Sequence, residues 1–191
     1  MTAKLIFFAG SARKDSCNKK LAKAAEKIAK EHDAQTTFID LRDYELPIFC
    51  EDFEAENGMP QAAKDLKKLF IEHDGFLISS PEYNSSFSPL LKNTLDWMSR
   101  GGDDNSNAFQ GKVSAIVAAS PGGLGGMRGL PHLRDLLTNI AMFGTTVIPA
   151  QFALGGAYGA FDENGDLKDD KQKSMLENVV KQFIETATAL K

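Results

Sequence analysis

The chain has 191 residues, of which 42% are hydrophobic and 25% charged, the composition of an ordinary globular protein slightly above single-domain size. A formal charge of -4 with a pI near 5.4 argues against a nucleic-acid role, which would favour a basic face. No apolar run approaches the roughly 18 residues needed to cross a bilayer, so we expect one cytoplasmic domain over residues 1–191.

The first residues, MTAKLIFFAG, contain a short apolar run and no small-residue cleavage site, so they predict a strand rather than a signal peptide. Cys17 and Cys50 form no C-x-x-C pair and no cluster with the three histidines. Neither a disulfide framework nor a metal site is therefore indicated. Cys17 is more simply interpreted as a small, partly buried residue than as a reactive thiol.

Short β-rich apolar runs alternate with helical patterns along the chain. The predicted strands are Lys4–Ala9, Thr36–Asp40, Gly75–Ser80, Lys112–Ala119 and Thr145–Ile148. The predicted helices are Asn18–Glu31, Pro60–His73, Ser88–Ser99, Leu130–Met142 and Asp169–Leu190. This alternation predicts an α/β fold with a parallel sheet covered by helices on both faces and joined by right-handed crossovers. The longest non-periodic stretches, residues 41–59 and 149–168, are expected to be functional or interface loops.

Ligands of an open parallel sheet bind at the carboxyl ends of its strands, where the strand order reverses. If the order is 2-1-3-4-5, the ends of strands 1, 3 and 4 are neighbours. The loops after these three strands are also the chemically specialised ones, so we expect them to form one site.

The loop after the first strand reads G-S-A-R-K-D-S-C-N and leads into a helix. The hydroxyls of Ser11 and Ser16 can donate to an oxyanion, Arg13 can bind a phosphate through two N–H groups, and the helix N-terminus adds partial positive charge. The glycine permits a tight turn. The loop matches neither G-x-G-x-x-G nor a P-loop, so a terminal phosphomonoester suits it better than a pyrophosphate. The alternative is that Ser16 or Asp15 only caps the helix.

The loop after the third strand belongs to the stretch SPEYNSSFSPLLKNTLDW, residues 80–97. Pro81 stiffens the exit from the sheet, and the three residues after it present backbone N–H groups and the flat face of Tyr83. This combination can hold a planar heterocycle such as a flavin ring. The alternative is an ordinary turn followed by a helix that begins at Ser88 and Pro89.

The loop after the fourth strand, ASPGGLGGMRG, has four glycines between Gly122 and Gly126. They allow the backbone to approach a flat ligand closely, and their N–H groups can meet a ring edge that carries negative charge. The stretch is not a dinucleotide fingerprint, because Arg128 stands where its last glycine is needed. The alternative is a flexible loop that joins a strand to a helix.

The combination of G-S-x-R-x-x-S-x-N at 10–18, S-P-E-Y-N at 80–84, L-K-N-x-x-D-W at 91–97 and S-P-G-G at 120–123 resembles the NADPH-dependent FMN reductase family. That family has a flavodoxin-like fold and includes azoreductases, quinone reductases and chromate reductases. The resemblance covers nearly the whole chain. The sequence departs from the family pattern after Arg128, where Gly129 and Pro131 interrupt what is usually continuous helix, and this leaves open the helix start and any role of Arg128 in holding NADPH.

The resemblance implies a flavodoxin-like three-layer sandwich that binds FMN. It implies phosphate contacts from Ser11, Arg13, Ser16 and Asn18, and ring contacts from Pro81, Glu82, Tyr83, Asn84, Ser120, Gly122 and Gly123. It also implies a homodimer or a dimer of dimers, with the 91–97 helix close to a subunit interface.

These features predict an FMN-dependent oxidoreductase that passes hydride from NADPH or NADH to bound FMN. Electrons would then reach a quinone, an azo compound, a free flavin or a metal oxyanion. FMN carries the chemistry, so no side chain is expected to act as an acid or base. The alternative is a flavodoxin-like electron carrier without direct NAD(P)H oxidation, although such carriers are usually far more acidic.

Three further features have simpler interpretations. Asp40 ends the second strand, where a dinucleotide-binding fold places its ribose-binding carboxylate. Because the matching glycines are absent, we favour a strand-end turn residue over that role. The acidic run at residues 51–56 is expected to be a solvated loop, and Trp97 is expected in the core or at a subunit interface.

Overall fold

The computed structural model describes residues 2–101, 106–139 and 143–191. Its strands, in chain order, are β1 (Lys4–Ala9), β2 (Gln35–Ile39), β3 (Gly75–Ser79), β4 (Glu82–Tyr83), β5 (Ser86–Phe87), β6 (Val113–Ala119) and β7 (Thr146–Leu154). Its helices are α1 (Cys17–Glu31), α2 (Glu51–Asn57), α3 (Gln61–Ile71), α4 (Pro89–Ser99), α5 (Gly129–Thr138) and α6 (Asp170–Ala189).

The main sheet of the described residues has five parallel strands in the order β2-β1-β3-β6-β7. Counted along this sheet, the order is the predicted 2-1-3-4-5, so the fold-class prediction is confirmed. β4 and β5 form a separate antiparallel hairpin, where the sequence predicted a ring-binding loop or, as the alternative, an ordinary turn.

Successive side chains of β1 enter the two different cores of the sandwich. Leu5 and Phe7 pack on the face covered by α1 and α6, whereas Ile6 and Phe8 pack on the face covered by α3, α4 and α5. The Phe8 and Phe70 rings meet edge to face at 5.7 Å between centroids. Because both faces of the strand are buried, its sequence is continuously apolar rather than alternating.

The fifth predicted strand is longer than expected, because β7 continues to Leu154 rather than ending at Ile148. Pro149 broke the apolar pattern in the sequence. In the structure it lies at a register shift between β6 and β7, on the edge of the sheet, where a missing backbone donor costs little.

Two expectations about the segments outside the main sheet need correction. The acidic run forms the short helix α2 rather than a loop, and three acidic residues in its first turn suit the positive end of the helix dipole. Gly129 and Pro131 do not interrupt α5, because the helix begins at Gly129 and Pro131 lies in the first turn, where its missing N–H breaks no bond. The predicted end of this helix, residues 140–142, lies outside the described residues.

Trp97 is fully buried by the chain's own segment before α3, so its expected place in the core is confirmed. Its indole N–H donates to the Pro47 carbonyl at 2.8 Å, and the Phe49 ring meets it edge to face at 5.0 Å. Among the described residues, no helix is both long and apolar enough to cross a membrane.

Candidate functional site

A cleft of about 180 Å³ lies at the carboxyl ends of β1, β3 and β6. Eight of the predicted site residues line it: Ser11, Arg13, Ser16, Asn18, Pro81, Glu82, Tyr83 and Ser120. The structure therefore brings the three predicted loops together at one edge of the sheet. Asn84, Gly122 and Gly123 are described residues that lie outside this lining, and Cys17, Ala119, Pro121 and Tyr158 line it without having been predicted.

One end of the cleft is the N-terminus of α1. Ser16 is the N-cap, and its hydroxyl oxygen accepts a hydrogen bond from the Lys19 N–H at 3.3 Å. Capping was the simpler alternative for Ser16, and the structure shows it. The hydroxyl hydrogen of Ser16 remains a donor, and the N–H groups of Cys17 and Asn18 have no acceptor within the helix. This end of the cleft therefore presents donors and partial positive charge to an anion.

Two more donors flank the same helix start. The Ser11 hydroxyl oxygen accepts from the Arg13 N–H at 3.3 Å, which leaves its own hydrogen to donate. Arg13 is exposed, and its Nη2 donates to the Asp15 carbonyl at 2.6 Å. A hydrogen bond to Tyr158 raises the pKa of the Arg13 guanidinium above its ordinary value, so its positive charge is retained.

Asn18 holds the helix start against the sheet. Its Nδ2 donates to the Ala119 carbonyl at 2.8 Å, and its Oδ1 accepts from the Ala119 N–H and the Ser79 hydroxyl, both at 2.9 Å. The side chain is buried. Asn18 thus connects α1 to the ends of β3 and β6, and its predicted contact with a phosphate remains a prediction.

Asp40 has a structural role next to this end of the cleft. It accepts from the Arg42 N–H at 3.0 Å and pairs with the Lys19 ammonium at 2.6 Å. Partial burial acts to raise the pKa of Asp40, but the Lys19 ammonium and the Arg42 N–H outweigh it and hold the pKa below its ordinary value. The strand-end interpretation of Asp40 therefore fits the structure better than a ribose contact.

The other end of the cleft is formed by the hairpin of β4 and β5. Tyr83 pairs with Ser86, which leaves a two-residue turn in which Asn84 and Ser85 both have positive φ, 50° and 70°. Such a turn matches the twist of a tight hairpin. It places Asn84 at the tip, whereas Tyr83 lines the cleft with 57% of its surface exposed.

An ion pair joins this hairpin to the glycine-rich loop. The Glu82 carboxylate accepts from the Arg128 N–H at 2.9 Å and from its Nε at 3.1 Å. The side chain of Glu82 is only 11% exposed, but that of Arg128 is 61% exposed. Arg128, whose role was left open, therefore secures the loop after β6 to the loop after β3.

The glycines after β6 serve two different purposes. Gly125 has a φ of +64°, and a Cβ there would lie 2.6 to 2.8 Å from backbone atoms at the end of β7. The backbone at Gly125 was expected to lie close to a ligand, but in the structure it lies close to the end of β7. A Cβ on Gly123 would meet no described atom within 4 Å, and one on Gly122 would meet only the Ser120 hydroxyl, at 3.7 Å.

Gly10 also has a different role from the expected tight turn. A Cβ there would lie 2.9 Å from the Leu91 Cβ and 3.2 Å from Pro81. Glycine is therefore required because α4 and the loop after β3 pack directly against the chain. The Ser88 hydroxyl, which caps α4, donates to the Gly10 carbonyl at 2.6 Å and fixes this approach.

Tyr158 is the unpredicted lining residue that lies outside the three predicted loops. It follows β7 and is 71% exposed, and the N–H of the preceding Ala157 donates to the Ser120 carbonyl at 3.1 Å. The sequence signal for it was the non-periodic stretch 149–168, which was expected to be a functional or interface loop, although no residue in it was singled out. The unexpected length of β7 brings this loop to the same edge of the sheet.

The sheet order and the position of the cleft define a flavodoxin-like α/β protein. Residues 3–159 match the family described as NADPH-dependent FMN reductase. The chain therefore belongs to this family of oxidoreductases, as the sequence motifs predicted.

Similar proteins act on quinones and related acceptors. The chain is 36% identical over 136 residues to a 2-hydroxy-1,4-benzoquinone reductase of a Burkholderia species, covering 71% of this chain and 70% of that protein. It is 34% identical over 174 residues to a quinone reductase of Pseudomonas putida, covering 91% and 89%. The solved structure of FerB, a flavoenzyme NAD(P)H:(acceptor) oxidoreductase from Paracoccus denitrificans, superposes with a TM-score of 0.84 at 28% identity and 98% coverage of both chains.

The residues of the cleft fit the cofactor that the family name implies. Hydroxyls, a guanidinium and free helix amides converge at the α1 end, a donor set that suits a phosphate dianion. The opposite end offers a proline, an exposed tyrosine and the backbone of the hairpin, which suit a flat ring. This arrangement fits FMN.

Proposed function

We propose that the chain is an FMN-dependent NAD(P)H oxidoreductase whose acceptors are quinones or similar electron-poor aromatic compounds. The observation that carries the proposal is that three loops line one cleft, with anion-binding donors at one end and an exposed aromatic ring at the other. Family membership and the quinone-reducing relatives support the same function.

At the α1 end, we assign the phosphate to Ser11, Arg13, Ser16 and the N–H groups at the helix start. The two hydroxyls keep their hydrogens available, because in the protein each acts as an acceptor for a backbone N–H. Arg13 adds the positive charge. Asn18 acts mainly by positioning this end, because its side chain bonds to β3 and β6.

At the hairpin end, we assign the ring to Pro81, Glu82 and Tyr83 on one side and to Ser120 on the other. Asn84, Gly122 and Gly123 remain proposed ring contacts that need the loops to close slightly over a ligand. When bound, FMN supplies the redox chemistry, since it takes up hydride from NAD(P)H and returns electrons to the acceptor. The protein residues hold the reactants in the correct relative position and need not exchange a proton themselves.

Exposed apolar side chains near the cleft support an aromatic acceptor. Tyr83, Leu124 and Met127 lie on the two loops that Arg128 joins, and each is at least half exposed. Apolar surface of this kind favours quinones over free metal oxyanions. It also supports the predicted homodimer or dimer of dimers, because exposed apolar residues beside a site often lie at an interface.

Anaerobic titration tests the proposal. The protein saturated with FMN should lose its yellow absorbance when NADPH or NADH is added without oxygen, and a quinone should restore it. The nucleotide that works at lower concentration identifies the preferred donor. A carrier would bleach only with a separate reductase. A protein that stays colourless and does not take up FMN would contradict the proposal.

We also propose that the protein acts in the cytoplasm and that one domain spans the chain.

A further inference from the structure

A second cavity, of about 370 Å³, adjoins the α1 end of the cleft. We call it the outer cavity. It shares Arg13, Cys17 and Tyr158 with the cleft, so these side chains form the boundary between the two spaces. Lys14 and Lys20 also line it.

The boundary between the two spaces is held together. Arg13 and Tyr158 each line both spaces, so the loop after β1 and the loop after β7 meet at this boundary. The backbone next to Tyr158 is secured as well, because the Ala157 N–H donates to the Ser120 carbonyl at 3.1 Å. Tyr158 therefore lines both spaces from a backbone that is fixed to the loop after β6.

The outer cavity is suited to a second phosphate. Its lining has three cations, Arg13, Lys14 and Lys20, against one carboxylate, Asp15. FAD differs from FMN by an adenylate attached to the flavin phosphate. Arg13, at the proposed phosphate end, lines both spaces, so the outer cavity is the space next to a phosphate bound there.

We propose that Tyr158 restricts the site to flavin monophosphate, because its ring separates the cleft from the outer cavity that would otherwise receive the adenylate of FAD. This inference rests on the proposed FMN function. It assigns Tyr158 a role in specificity, distinct from the anion-binding role of Ser11 and Ser16. Tyr158 is 71% exposed, so replacing it should not disturb the core.

The test is titration of the flavin-free protein with FMN, FAD and riboflavin. The quenching of flavin fluorescence measures binding of each flavin. The wild type should bind FMN at least about tenfold more tightly than FAD, a difference of about 1.4 kcal/mol. In Tyr158→Ala, FMN affinity should fall only about threefold while FAD affinity rises, so that the ratio drops to about threefold or less. Tyr158→Phe keeps the ring and should keep the ratio of the wild type.

A second variant identifies where the adenylate is bound. Adding Lys20→Ala to Tyr158→Ala should reverse most of the gain in FAD affinity and leave FMN affinity unchanged, because Lys20 lines only the outer cavity. The proposal is overturned if the wild type binds FAD as tightly as FMN, if Tyr158→Ala leaves the ratio unchanged, or if Tyr158→Phe also loses the discrimination. A wild type that binds no flavin would instead overturn the proposed function itself.

Discussion

The two ends of the cleft are held in place by different kinds of interaction. At the α1 end, the buried side chain of Asn18 makes three hydrogen bonds to the ends of β3 and β6. At the hairpin end, Glu82 is paired with Arg128, whose side chain is 61% exposed. Buried, fully bonded polar groups are costly to disturb, whereas an ion pair with one solvent-exposed partner contributes less. The phosphate end is thus built as a fixed anchor, and the ring end can adjust to different reactants.

The largest loss of stability is expected from Asn18→Ala. The change leaves the Ala119 N–H and carbonyl groups and the Ser79 hydroxyl without their partner, and it should lower the free energy of unfolding by about 3 kcal/mol. FMN affinity should fall too, because the helix start loses its connection to the sheet. Urea denaturation measures the first effect and fluorescence titration the second.

Asn178→Ala is a matched control, because Asn178 is exposed on α6. It should change the stability by less than about 0.5 kcal/mol. If the two variants lose stability equally, the phosphate end is not the fixed anchor described above.

The next largest loss of stability is expected in the glycine-rich loop, whose two halves should respond differently. Gly125→Ala forces a Cβ against the backbone at the end of β7 and strains a positive φ, so it should destabilise the protein by about 2 to 3 kcal/mol. Gly123→Ala meets open space and should change stability by less than about 0.5 kcal/mol, while weakening FMN binding if Gly123 contacts the ring. Thermal unfolding of the two variants separates the packed half from the open half, and equal melting temperatures would contradict this division.

Arg13→Ala should act on binding rather than folding. Removing a charge-assisted phosphate contact costs about 2 kcal/mol, so FMN affinity should fall about thirtyfold. Riboflavin lacks the phosphate, and its affinity should remain within about twofold of that for the wild type. A parallel loss for both ligands would show that Arg13 is not at the phosphate. Stability should be unchanged, because Arg13 is exposed.

Arg128→Met is expected to have the smallest effect. The Arg128 N–H still donates to Glu82 in this variant, and only the ion pair with the largely exposed guanidinium is lost, so the stability should fall by less than about 1 kcal/mol. The difference should shrink in high salt, where exposed charges are screened. A loss above about 2 kcal/mol that persists in salt would mean that the ring end is as rigid as the phosphate end.

Local sequence patterns predicted much of this architecture. Strands such as β1 are continuously apolar, and Ser16 and Ser88 precede helices in the way that caps do, so the sheet and the three loops could be placed. The family motifs lie on those loops. Their convergence followed from the strand order, because the carboxyl ends of neighbouring parallel strands share one edge.

Contacts between distant residues could not be predicted in this way. Asn18 and Ala119 are 101 residues apart, and Glu82 and Arg128 are 46 apart. Nothing in either local sequence identifies its partner. Tyr158 was missed because Pro149 broke the strand pattern, so the path of the chain to the cleft was hidden. The close backbone approach of all four glycines was expected toward a ligand, because a glycine's neighbour in space is not visible in the sequence.

Amide hydrogen exchange with and without FMN tests the central claim most directly. The account predicts that FMN slows exchange in three separate segments, residues 11–18, 81–84 and 119–123, while the amino ends of the strands exchange as before. It also predicts a smaller change at 11–18 with riboflavin than with FMN. Protection confined to one of these segments, or located at the opposite edge of the sheet, would contradict a single cleft that holds the phosphate at α1 and the ring at the hairpin.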